Sequence, residues 1–145
     1  MALKKANWLL LVAVFLIQAC SKDPLEKYEG EYSFVSHVTE HFPSTGDTII
    51  YSTGSIKEVS SSVLEINYMG NSKGYSGVIL IMPGQVQVKV DKDGKISPAI
   101  EYPDDIVTIT GQFEDSDKLT MTLGMNSEYY GKLSTTVVKG TRIQK

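Results

Sequence analysis

The stretch Gln85-Val86-Gln87-Val88-Lys89-Val90 sets a valine against a polar residue at every step. Successive side chains of a β-strand point to opposite faces, so a period of two reads as a strand with a buried valine face and a wet face of Gln85, Gln87 and Lys89. The same alternation recurs outward along the chain. Val107, Ile109, Gly111 and Phe113 oppose Thr108, Thr110 and Gln112, and Leu119, Met121 and Leu123 oppose Thr120 and Thr122. Tyr28, Gly30, Tyr32, Phe34 and Val38 oppose Glu29, Glu31, Val35 and His37. Asp47–Thr53, Ser62–Tyr68, Gly77–Met82 and Lys132–Ile143 complete a set of about eight strands. No helical period competes with them.

Turn residues punctuate the set: Ser44-Thr45-Gly46-Asp47, Gly70-Asn71-Ser72-Lys73-Gly74, Asp91-Lys92-Asp93-Gly94 and Glu114-Asp115-Ser116-Asp117. Glycine supplies positive φ, and Asp or Asn bonds back to nearby backbone. Short consecutive connections make antiparallel neighbours. Ser97 to Asp105, with Pro98 and Pro103, reads as a longer loop at one rim. Gly77–Met82 is apolar on both faces, so it is either covered on both sides or is a contact surface for a partner. The chain shows no internal repeat.

Ahead of the strands, Lys4 and Lys5 precede an apolar run from Trp8 to Ile17, and Ala19 supplies the small residue that a signal peptidase requires. That run is about ten residues, half of the ~20 that a helix needs to cross a bilayer core. It reads as a cleaved leader. The one cysteine of the chain, Cys20, closes Ile17-Gln18-Ala19-Cys20, which is similar to the lipobox of bacterial lipoproteins, with Gln18 in place of the usual small or aliphatic residue. The resemblance implies a signal peptide over 1–19, cleavage after Ala19 and lipidation of Cys20, palmitate among the chains. One acyl chain anchors only marginally, and two or three make attachment stable. Residues 20–27 would form a lipidated tether reaching at most ~25 Å from Ser21 to Lys27. Ser21 after the cysteine fits the outer-membrane sorting of many such lipoproteins, on the periplasmic face or at the cell surface.

Cleavage would leave about 126 of the 145 residues, enough for one domain over 28–145. Losing Lys4 and Lys5 takes the 14 basic residues to 12 against 17 acids, a charge of about −5. That sign opposes nucleic-acid binding and gives no attraction to anionic lipid.

An antiparallel sheet of this size hides its edges by closing into a barrel or folding into a sandwich. Gly30-Glu31-Tyr32 on the first strand and Gly140-Thr141-Arg142 on the last resemble the lipocalin-like (calycin) pattern. There a first-strand G-x-W aromatic is covered by a basic side chain from the final strand. Tyr32 stands here in place of tryptophan, and Arg142 would be its cover. The expected fold is all-β, a single antiparallel up-and-down barrel of about eight strands, with a β-sandwich as the alternative.

Chemical motifs are wanting. Gly74-Tyr75-Ser76-Gly77 lacks the spacing and helix of a nucleophile elbow, and Asp91–Gly94 reads as a hairpin turn because Tyr102 stands where a calcium loop needs its closing Glu. His37 and His41, four apart, lie ~13 Å apart on a strand and do not share a metal readily. No catalytic, cofactor-binding or metal-binding residue is assigned. Tyr51, Tyr68, Tyr75, Tyr102, Tyr129 and Tyr130 are expected as half-buried barrel wall. The expected function is non-enzymatic: a membrane-anchored module binding a small apolar or amphipathic ligand, or an accessory protein that contacts another envelope component through its surface and rim loops.

Overall fold

The computed structural model describes residues 24–43, 45–73, 84–102 and 106–144, with 71–73 described by backbone alone. A short 3₁₀ turn, Glu26–Tyr28, leads into eight strands: β1 Gly30–Glu40, β2 Gly46–Ser60, β3 Val63–Lys73, β4 Gln85–Val90, β5 Lys95–Pro98, β6 Val107–Phe113, β7 Lys118–Ser127 and β8 Gly131–Arg142. Each pairs antiparallel with its sequence neighbour, and β1 also pairs with β8, from Tyr32 opposite Arg142 to Glu40 opposite Ser134. The sheet is therefore a closed up-and-down barrel, and the sandwich alternative is excluded.

Alternation decides which face each strand buries. Tyr32, Phe34, Ser36 and Val38 of β1 are buried while Glu31, Ser33, Val35 and His37 face water. On β4 the three valines are buried, as their spacing predicts. Inward side chains from every strand form one core, with Tyr32, Phe34, Ile56, Leu64, Ile66 and Met121 filling its lower half.

Three expectations about the strands change. A strand not expected from the sequence, β5, takes Ser97 and Pro98 out of the expected rim loop; Gly77–Met82 and Ser76 lie outside the described residues. The turn expected at Gly70–Gly74 is strand as far as Lys73, which pairs with Tyr51. β2 runs on to Ser60 through an irregularity between Thr53 and Ser55. A Cβ at Gly54 would collide with the carbonyl oxygen of Asn67, so the two strands approach there as only glycine permits.

The tyrosines split three ways. Tyr68 is fully buried and Tyr102 half-buried, but Tyr51, Tyr129 and Tyr130 are exposed, against the expectation of a half-buried wall. Tyr51 faces outward from β2, and the other two sit in the β7–β8 turn, beyond the reach of the core.

Candidate functional site

The two ends of the barrel are built from different chemistry. At the lower end, where β1 begins and β8 finishes, the chain from Leu25 to Tyr28 is held against the barrel and both residues are buried. Tyr28 stacks on Phe113 at 4.0 Å between ring centroids. The Tyr32 hydroxyl donates to the carbonyl oxygens of Tyr28 at 2.9 Å and Ser116 at 3.0 Å, tying the plug to the β6–β7 turn. Burial pushes the Tyr32 phenol up to about 12, with Arg142 pulling it down and Asp117 and Asp115 pushing it further up.

Tyr32 and Arg142 face one another across the β1–β8 seam. The guanidinium lies 5.9 Å from the Tyr32 ring centroid, within cation–π range, and its Nη1 is 3.4 Å from the Asp117 carboxylate. Gly30 makes room for it: φ there is +147°, and a Cβ would stand 2.9 Å from the Arg142 Nε. Gly140 does the same for the core, since a Cβ there would meet the Phe34 ring at 2.7 Å. The two glycines of the G-x-Y and G-x-R triplets thus have separate steric reasons. The Asp91–Gly94 turn beside this end is a hairpin, with the Asp91 carboxylate accepting from the backbone N–H groups of Asp93 and Lys95, both at 2.9 Å.

The upper half is lined differently. Ser36 on β1, Ser52 on β2, and Ser134 and Thr136 on β8 are the buried polar side chains among the described residues. They share one stretch of wall. Phe34 pairs with Ser52, Val38 with Thr136 and Glu40 with Ser134, so the hydroxyls descend from the rim across three adjacent strands. Strands β3, β4, β6 and β7 contribute Tyr68, Val86, Ile109 and Leu123 to the remaining interior. Ser52 donates to the Tyr68 carbonyl oxygen, while Ser36 Oγ and Ser134 Oγ are buried with no hydrogen-bond partner among the described residues. Leaving a buried hydroxyl unpaired costs about 1–3 kcal/mol, so two in one wall call for a reason. No charged side chain is buried with them among the described residues. Burial raises the Tyr68 phenol well above its ordinary value.

Of the residues singled out from sequence, Tyr32 and Arg142 are brought together and Cys20 lies outside the described residues. His37 and His41 are exposed. His37 Nε2 is 3.4 Å from the Asp47 carboxylate, and His41 Nε2 lies 3.3 Å from Thr135 Oγ1. The described residues contain no group of three metal-ligating side chains. Ser36 and Ser134 were not singled out, although Ser36 keeps the inward phase of Tyr32, Phe34 and Val38 and so was readable as a polar residue in an apolar row.

Fold and site together define a small closed β-barrel with one plugged end and one hydroxyl-lined end. Among solved structures it is similar to the crystal structure of a protein of unknown function of the DUF3598 family from Nostoc punctiforme. The TM-score is 0.53, with 17% identity, covering 82% of this chain and 49% of that one. The chain thus spans about half of that protein's length, and the likeness is one of fold. No protein-family model matches the chain, and no curated protein matches it.

Proposed function

We propose that the protein is a lipid-anchored, non-enzymatic module of the cell envelope that takes a small, uncharged amphipathic ligand into the upper half of its barrel. The observation that carries this reading is that the Ser36 and Ser134 hydroxyls, in an uncharged interior, are buried with no partner among the described residues. A hydroxyl both donates and accepts, so each suits an alcohol, ester or amide group; Ser36 is level with Val138, four residues along β8 from Ser134, so the two would meet different groups of the ligand. A carboxylate or ammonium would enter without a counter-ion, at a large desolvation cost. Mouths of small barrels are where such folds place their ligands. Cys20 supplies the anchor to the outer membrane, and the ligand's apolar part rests on the side chains facing the hydroxyls.

Native mass spectrometry of the full chain, before and after organic extraction, tests this. A defined neutral molecule is expected in the first spectrum and absent from the second, with its occupancy reduced in Ser36→Ala and Ser134→Ala. Bare protein in both spectra, with a thermal midpoint unmoved by a panel of neutral lipids, would rule the reading out. Cys20→Ser is expected to move the protein from the membrane to the soluble fraction with its fold unchanged. A second reading, contact with another envelope component, draws on the apolar rim.

A further inference from the structure

Five of the ten exposed large apolar side chains among the described residues stand at the upper rim, while Val35, Ile49 and Tyr51 lie on the outer wall of β1 and β2. Phe42, Ile100, Ile106, Tyr129 and Tyr130 are each at least 39% exposed, on the described parts of the β1–β2, β5–β6 and β7–β8 connections. The lower end exposes Val59 and Ile143. Two of the rim rings are in contact. Phe42 and Tyr130 stack at 4.4 Å, and the Ile106 carbonyl oxygen accepts from Asn126 N–H at 2.9 Å, beside the turn that carries both tyrosines. Among the described residues, Glu40, Asp47, Glu101 and Glu128 stand around them, outnumbering Lys132 and the Lys73 that ends β3.

We propose that this rim docks a protein partner whose contact patch has an apolar centre and a Lys/Arg fringe. Exposed aromatics are the residues that anchor protein interfaces, and a cluster of exposed apolar side chains at one rim marks a contact site. The acidic fringe selects the partner's sign: it repels anionic lipid and complements a basic surface, which speeds encounter and fixes orientation. The described chain begins at the other end, where Pro24 and Leu25 lie beside Ser61 and Asp91. With Cys20 as the anchor, the rim faces away from the membrane, a placement that rests on the proposed function.

The test selects peptides from a randomised library on immobilised full chain. Enriched peptides are expected to combine aromatic or aliphatic residues with Lys or Arg and to weaken as salt rises. They should bind the Tyr129→Ser/Tyr130→Ser double variant at least about tenfold less tightly, the loss of one hot-spot anchor. Glu128→Lys should weaken them with every ring in place. Peptides without basic residues, or equal binding to the double variant, would overturn the proposal. So would rim-dependent binding to neutral phosphatidylcholine vesicles, or self-association that the double variant abolishes. The double variant leaves Ser36 and Ser134 untouched, so its ligand mass spectrum separates failure at the rim from failure of the interior reading.

Discussion

The lower and upper ends of this barrel use the same strands to opposite purposes. Below, Leu25, Tyr28, Tyr32 and Phe113 interlock, and the Tyr32 phenol has two acceptors. Above, the inward positions turn to serine and threonine, two hydroxyls lack partners, and apolar rings stand in water. A closed sheet holds both ends in register, so packing at one end stabilises the whole and leaves the other free to carry groups that do not stabilise it. Polar groups at a cost to stability are the mark of a site rather than of a core.

The sharpest way to break this contrast is to empty the lower end. Tyr32→Ala removes a fully buried ring together with its two hydrogen bonds, and about 3–5 kcal/mol of stability should go with it, read from denaturant unfolding. A loss below about 1 kcal/mol would mean that the plug does not carry the fold.

Alkaline pH probes the same residue more gently. The folded phenol titrates near 12 and the unfolded one near 10, so the native state holds its proton longer. Its contribution is complete below pH 10 and is lost as pH rises to about 12, on the order of 2 kcal/mol. Unfolding midpoints measured across that window should fall more steeply for the native chain than for Tyr32→Phe. Parallel curves would show that the phenol is not buried in solution.

At the upper end the sign reverses. Ser36→Ala removes a buried hydroxyl without a partner, so the ligand-free protein should be unchanged or more stable by up to about 1 kcal/mol. A clear destabilisation would mean that the hydroxyl already has a partner and is part of the packing. Smallest of all, Tyr129→Ser, at 89% exposed, should shift stability by less than about 0.5 kcal/mol.

How much of this was readable in advance follows from how each residue earns its place. Strands that bury several side chains on one face announce themselves, as Val86, Val88 and Val90 do. β5 does not: Lys95-Ile96-Ser97-Pro98 buries Ile96 alone, and a strand with one apolar contact has no period to detect. The latter half of β2 hides for the same reason, because beyond Gly54 it buries Ile56 alone. Barrel over sandwich rested on the ends of the chain, where Gly30-Glu31-Tyr32 and Gly140-Thr141-Arg142 carried a resemblance that the β1–β8 pairing gives a physical form. The hydroxyl wall was half legible. Ser36 interrupts an apolar row, but β8 reads Ser134, Thr136, Val138 and Gly140 inward, a row too mixed to set its serine apart. The rim lay beyond pattern altogether, since its side chains belong to connections with no fixed period.

The seam between β1 and β8 also sets an order of events. Its hydrogen-bonded neighbours Ser33 and Thr141 are 108 residues apart, so the contact that closes the sheet waits for the last strand to be made. Contacts so distant in sequence are slow to form, because the loop between them must lose its freedom first. Any shorter stretch from the N-terminal side has two open edges and no seam. Until β8 is in place those edges are free to pair with another chain, so the closing strand is also what guards the sheet against edge-to-edge association.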